Sequence, residues 1–126
     1  MVGIVIVSHS NKLAQGVMEL AKMMAADAPV AAAGGLEDGS FGTSYEKINA
    51  AINSVYTDDG VVILMDMGSA VMTADMVIEN MPNKKVQMID CPLVEGAVVA
   101  AIASSSNQSM GEVINEAKNA AKESKL

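Results

Sequence analysis

Arginine and tryptophan are absent from this chain, and its 126 residues include one cysteine and one histidine. Each shortage removes something. Lysine is the only basic side chain, and eight of them against 15 carboxylates give a formal net charge of -7. No basic stripe exists to displace counterions from a phosphodiester backbone, which argues against nucleic acid as a partner. Without a guanidinium fork, an anion site is restricted to backbone N–H groups, hydroxyls and helix dipoles. A lone Cys91 rules out a disulfide framework and zinc-type spacing, and with no signal peptide it points to the reducing cytoplasm. Apolar runs reach only five to seven residues, too short to cross a bilayer, so no membrane partner is expected. The aromatic residues are Phe41, Tyr45 and Tyr56 alone, so the 51% hydrophobic content rests on Val, Ile, Leu, Ala and 11 Met.

What remains is a regular alternation. A chain of this length buries roughly two-thirds of its unfolded surface, and residues 1–126 are expected to form a single domain without staples. Val2–Val7 reads as a buried strand, and Ser10 or Asn11 caps a helix whose apolar positions are Leu13, Val17, Leu20 and Met24, ending near Asp27-Ala28-Pro29. Val30–Ala33 is a small-residue strand running into Gly34-Gly35 and a loop to Gly42. Thr43 or Ser44 then caps a helix carrying Ile48, Ala51, Ile52 and Val55. The strongest strand is Val61–Met65. Gly68-Ser69 opens a third helix with Val71, Ala74, Val77, Ile78 and Met81 on one side. Lys85–Ile89 is a fourth strand, Pro92 precedes a helix through Leu93–Ala100, and Ser109 caps a last helix from Met110 towards Lys122. Strands alternating with helices of three to four turns predict an α/β fold: a four-stranded parallel sheet with helices on both faces. Right-handed crossovers favour the order 2-1-3-4, with the switch point between the first and third strands.

That order makes the strand ends informative. The first strand runs into His9, the third into Asp66 and the fourth into Asp90, and ligands of open α/β sheets bind beyond such carboxyl ends. If His9 and Asp66 are neighbours across the switch point, the carboxylate accepts the imidazole Nδ1–H, fixes the tautomer and leaves the Nε2 lone pair facing outward. Such a histidine is a nucleophile or a base. For attack on phosphorus, catalysis is mostly positioning and charge stabilisation, and two stretches offer donors: Gly42-Thr43 at the start of the second helix, and Gly68-Ser69 at the start of the third. Asp90, on an expected edge strand, is the weaker candidate. A lone histidine after a strand also serves as a helix-cap neighbour, and Asp66 before Gly-Ser also serves as a cap. Their pairing is what raises both. Met65, Met67, Met72 and Met76 read as core filler, although a Met-rich rim also suits adaptable protein contacts. Ser8 and Ser10 do not sit in the Gly-x-Ser-x-Gly turn of a serine hydrolase. No metal or cofactor motif is present.

Val5-Ile6-Val7-Ser8-His9-Ser10, Ala33-Gly34-Gly35 with Gly42-Thr43, Met65-Asp66-Met67-Gly68-Ser69-Ala70 and Pro92-Leu93-Val94-Glu95-Gly96-Ala97 together resemble the mannose-type enzyme IIA family over essentially the whole chain. The likeness is strongest to the branch that serves phosphotransferase-dependent dihydroxyacetone kinases. It implies a cytoplasmic homodimeric phosphotransferase subunit, with a phosphohistidine intermediate, that takes a phosphoryl group from phospho-HPr on His9. The group passes to ADP on the DhaL subunit, and the ATP formed phosphorylates dihydroxyacetone on DhaK. The resemblance also pairs Asp66 with His9. Mannose-type relatives add a fifth, antiparallel strand near the C-terminus, whereas Ser109–Lys122 reads as helix here. Two other readings stand beside the carrier. One is a sugar-specific enzyme IIA of the same family; the other is a non-catalytic module that binds a small anion in the same cleft.

Overall fold

The computed structural model describes residues 1–126. Its elements are β1 (Gly3–Ser8), α1 (Asn11–Met24), β2 (Val30–Gly34), α2 (Tyr45–Val55), β3 (Val61–Met65), α3 (Val71–Glu79), β4 (Val86–Met88), α4 (Leu93–Ser105) and α5 (Met110–Asn119). A 3-10 turn at Gly68–Ala70 leads into α3, and another at Ala120–Lys122 follows α5. The strands form one parallel sheet in the order β2-β1-β3-β4, as expected. The C-terminal segment is helical, as its sequence pattern indicates, and a reciprocal Ser109–Glu112 capping box starts α5. No helix is long and apolar enough to cross a membrane.

Both sheet faces are covered because the strand side chains alternate. Ile4, Ile6, Val62 and Leu64 point into a core closed by α1, α4 and α5, while Val5, Val7, Val61 and Ile63 point into one closed by α2 and α3. Three expectations need correction. Met67, Met72 and Met76, read as core filler, stand exposed. In α1 the buried residues are Ala14, Val17 and Ala21, and of the expected apolar stripe only Val17 is buried; Leu13, Leu20 and Met24 are exposed. Small side chains win the inner face because α1 lies so close to the sheet. A Cβ on Gly34 would come within 2.6 Å of the Ser10 carbonyl oxygen and 2.7 Å of Ala14 Cβ. The fourth strand, Val86–Met88, is also shorter than Lys85–Ile89, although its flanking residues still bond to β3, the Lys85 carbonyl accepting from the Val61 amide at 2.8 Å and the Ile89 amide donating to the Ile63 carbonyl at 2.9 Å.

Candidate active site

The register of β1 against β3 pairs Val7 with Met65, so the next residues of each strand, Ser8 and Asp66, leave the sheet side by side. The chain then turns sharply into α1, whose N-cap Ser10 accepts a hydrogen bond from the Leu13 amide. His9 sits between strand and helix with its carbonyl held by the Gly42 amide at 2.9 Å.

Asp66 is the organising residue. Its Oδ1 accepts from His9 Nδ1 at 3.0 Å and from the Met67 amide at 2.8 Å. Its Oδ2 accepts from the Ser8 hydroxyl at 2.9 Å and from the His9 amide at 3.1 Å. Ser8 Oγ in turn accepts from the Ser10 amide at 3.0 Å, tying the carboxylate to the start of α1. Burial alone pushes the Asp66 carboxyl up, but the bonds from the His9 amide, the Ser8 hydroxyl and the His9 ring, with the charge of that ring, outweigh it and hold the pKa below the ordinary 3.8. The group is therefore an anion at neutral pH with all its acceptor positions engaged. Acting only as an acceptor, it requires the proton of the neutral imidazole to reside on Nδ1.

Nε2 then carries the lone pair. The Ser69 hydroxyl, on the 3-10 turn before α3, lies 2.9 Å from it and donates to it in that tautomer. The side chains of His9 and Asp66 are 21% and 12% exposed, so the ring is firmly seated yet open at one edge. Three helical N-termini gather here: α1 starts just after His9, the 3-10 turn carries Ser69, and the loop holding the His9 carbonyl leads into α2, capped by Ser44. First-turn amides such as those of Gly68 and Ser69 lack intrahelical carbonyl partners and offer donors and partial positive charge to an anion. An imidazole, a carboxylate and hydroxyls so placed suit nucleophilic attack by nitrogen on an electrophilic, anionic group. Asp66, with every acceptor position filled, is poorly suited to hold a metal ion.

The structure thus joins His9, Asp66 and Ser69, with Gly68 beside them on the same turn. Gly42 is close as well, but its amide is committed to the His9 carbonyl, so it positions the histidine backbone. Thr43 makes no hydrogen bond to the imidazole: its hydroxyl pairs with that of Thr73 at 2.9 Å, bridging the α2 loop to α3. Asp90 lies exposed at the end of β4, across a cleft of about 390 Å³ that it shares with Asp66, Met67 and Gly68. Cys91 lines the same cleft; burial, helped by the Asp90 charge, pushes its thiol up to about 11, so it is neither thiolate nor nucleophile at neutral pH. Sequence reasoning missed Ser8, whose only signal was its position beside His9 at a strand end. It also missed the Thr43–Thr73 bridge, which joins residues on different elements.

Residues 3–118 match the family model described as the PTS system fructose IIA component. The phosphoryl donor subunit DhaM of the PEP-dependent dihydroxyacetone kinase of Escherichia coli strain K12 is 39% identical over 95% of this chain, which spans only 27% of that protein's length. The DhaM subunit of PEP-dependent dihydroxyacetone kinase 2 of Listeria innocua serovar 6a is 35% identical, with 94% of this chain and 98% of the relative covered. Among solved structures, a protein of unknown function, EF1359, is similar with a TM-score of 0.79 and 30% identity over 94% of this chain and 93% of that one.

Proposed function

Because the chain belongs to the family of phosphotransferase-system fructose IIA components, we propose that residues 1–126 form a cytoplasmic phosphoryl-carrier domain that accepts phosphate on His9 Nε2 and passes it to ADP held by DhaL. The single observation that carries the reading is the Asp66–His9–Ser69 line, in which a carboxylate holds the Nδ1 proton and leaves Nε2 as nucleophile. In the first step the Nε2 lone pair attacks phosphorus, the P–Nε2 bond forms, and the bond from phosphorus to its donor breaks with its electron pair staying on the donor. The Nδ1 proton remains in place, and Asp66 offsets the positive charge that develops on the ring. In the second step a terminal oxygen of ADP attacks phosphorus and the P–Nε2 electrons return to nitrogen, giving ATP for phosphorylation of dihydroxyacetone on DhaK. Ser69 and the amides of Gly68 and Ser69 hold the phosphoryl oxygens, and Gly42 and Thr43 shape the opposite wall. Phe41, Met67, Met72 and Met76 stand exposed on elements at this end of the sheet. Flexible apolar side chains suit a surface that must receive a donor and then an acceptor. The names of the relatives, the lone cysteine and the site geometry support this reading; phospho-HPr as the donor and a homodimeric state belong to the same proposal.

The test is reconstitution. With phosphoenolpyruvate, enzyme I and HPr, one acid-labile phosphate per chain is expected on His9, and adding DhaL with ADP should discharge it to ATP. His9→Gln should fold with a stability within about 1 kcal/mol of the parent and take up no label. Label that leaves only for a sugar-specific IIB domain would move the chain to the sugar-specific branch. Failure of labelling together with micromolar binding of inorganic phosphate would make it an anion-binding regulator.

A further inference from the structure

The start of α3 is held differently from the starts of α1, α2 and α5. Each of those three helices is capped by its own serine, Ser10, Ser44 or Ser109, whereas neither the Gly68–Ala70 turn nor α3 has a side-chain cap. Ser69 therefore sits on a lightly anchored stretch. Only Ala70 of the turn is buried, and the space that a Cβ on Gly68 would fill is open. Four residues beyond Ser69, about one helical turn on, the half-buried Thr73 pairs its hydroxyl with that of the half-buried Thr43 at 2.9 Å. No other hydrogen bond joins the loop Gly35–Ser44 to α3 or its lead-in turn. The other end of the bridge is firmly placed. Thr43 follows Gly42, whose amide holds the His9 carbonyl, and the same loop begins with the Gly35 amide on the Ser8 carbonyl at 3.1 Å. At its base Ser44 Oγ bonds to Glu37, and Lys47 Nζ donates to the Gly34 carbonyl at 2.9 Å. A circuit closes in this way. It runs from His9 Nε2 to Ser69, along one turn to Thr73, across to Thr43, and back through Gly42 to the main chain of His9.

We propose that Thr43 and Thr73 are positioning residues, whose paired hydroxyls lock the Gly68–Ala70 turn to the loop holding the His9 main chain and so fix Ser69 and the turn's amides relative to Nε2. The proposal rests on the carrier reading and extends it to a pair that makes no hydrogen bond to the imidazole. Distance is what makes the pair matter. Hydrogen bonds weaken steeply with misalignment, and a displacement of about 1 Å at a reacting centre costs about 10²-fold in rate. A long guanidinium fork can follow a displaced anion, but this chain has no arginine. Its donors are a hydroxyl and backbone amides, which are short and act only where they are placed. The fold itself does not depend on the bridge. Helices α2 and α3 are already joined by the shared core on their sheet face and by Asn80 Nδ2, which donates to the Tyr45 hydroxyl at 2.8 Å at the far end of α3. One hydroxyl of the threonine pair donates and the other accepts, so either valine leaves a half-buried hydroxyl without its partner, while the double replacement removes both.

The experiment combines transfer kinetics with the imidazole nitrogen resonances of the full chain, which belong to one residue because His9 is the single histidine. Thr43→Val, Thr73→Val and the double variant are labelled by phosphorylated HPr over a range of its concentrations. Each single variant should lower the maximal transfer rate by about 5- to 10-fold, the weight of one neutral hydrogen bond, with the half-saturating concentration of the donor within about twofold of the parent. The double variant should be no slower than the slower single one. Thr43→Ser and Thr73→Ser keep both hydroxyls and should transfer at close to the parental rate. With no donor present, the Nε2 resonance of the valine variants should move towards that of Ser69→Ala, while the Nδ1 resonance, held by Asp66, stays. Circular dichroism and the thermal midpoint should remain near parental values throughout. Valine variants that transfer at the parental rate overturn the proposal, as do losses that multiply in the double variant or serine variants as slow as the valine ones. A loss lying wholly in the half-saturating concentration assigns the pair to donor docking and overturns it too. If the parent itself takes no label, the carrier reading falls and the Nε2 resonance alone decides: one that does not move in the valine variants overturns the bridge as a positioning device.

Discussion

Asp66 sets the chemistry of the site through hydrogen bonds that a neutral amide cannot reproduce. In Asp66→Asn the Nδ2 group would face two of the donors now bound by carboxylate, and where it faces His9 Nδ1 it would favour the opposite tautomer. Phosphoryl transfer should fall by about 10²-fold or more, measured as the initial rate of labelling, with the circular dichroism spectrum intact. Stability should change with a definite sign. The folded pKa of Asp66 lies below its unfolded value of 3.8, so the native state is favoured wherever the carboxylate is ionised in both states. That contribution is complete at pH values above 3.8 and is lost as pH falls through the lower folded pKa. Urea denaturation should show Asp66→Asn destabilised by about 1–3 kcal/mol at neutral pH, with the gap to the parent narrowing once the solution is acidified below 3.8. A gap independent of pH would mean the carboxylate is not held as an anion. His9 and Asp66 were legible beforehand because strand ends and parallel crossovers place them together. Ser8 was not, because a serine inside a strand run carries no sign of the carboxylate it will buttress.

At the scale of elements, the helix–sheet spacing explains both what was readable and what was not. Strand order followed from the alternation of apolar runs and helices, and the capping residues Ser10, Ser44 and Ser109 marked helix starts. Periodicity misplaces the face of α1 because it counts large apolar residues, whereas the buried positions are Ala14, Val17 and Ala21, with Met18 partly buried beside them. Leu13 and Leu20, the strongest apolar signals, were left outside. Gly34 is the reason for that spacing, and it lies at the β2 end that the start of α1 crosses. Gly34→Ala would place its Cβ 2.8 Å from Asn11 Cα as well as against Ser10, all backbone or short side chain that cannot swing away. We expect a loss of about 1–3 kcal/mol and a slower transfer rate, since relief requires the segment bearing His9 to shift. Thermal denaturation and labelling kinetics check the two effects. A variant of parental stability would mean that β2 and α1 are not held at this distance.

For the whole molecule, the absence of arginine and the net charge of -7 set how tightly an anion is held. Helix N-termini contribute about 0.3–2 kcal/mol each, so free inorganic phosphate should bind at about millimolar concentration or more weakly, whereas phosphate bound covalently to His9 should persist at neutral pH and be lost in acid. Calorimetry with phosphate and the decay of label against pH separate these two behaviours, and micromolar affinity would contradict the carrier reading. The hydroxyl of Ser69 gives this weak holding a further meaning. In this structure it lies within hydrogen-bond distance of the Nε2 lone pair; in the proposed phosphorylated state the same hydroxyl would turn to a phosphoryl oxygen and exchange one hydrogen bond for another. A donor engaged in both states favours neither strongly over the other, so this hydroxyl adds little to the driving force of either transfer step. In the carrier we propose, the direction of flow is therefore set by the partners on either side of it rather than by this hydroxyl.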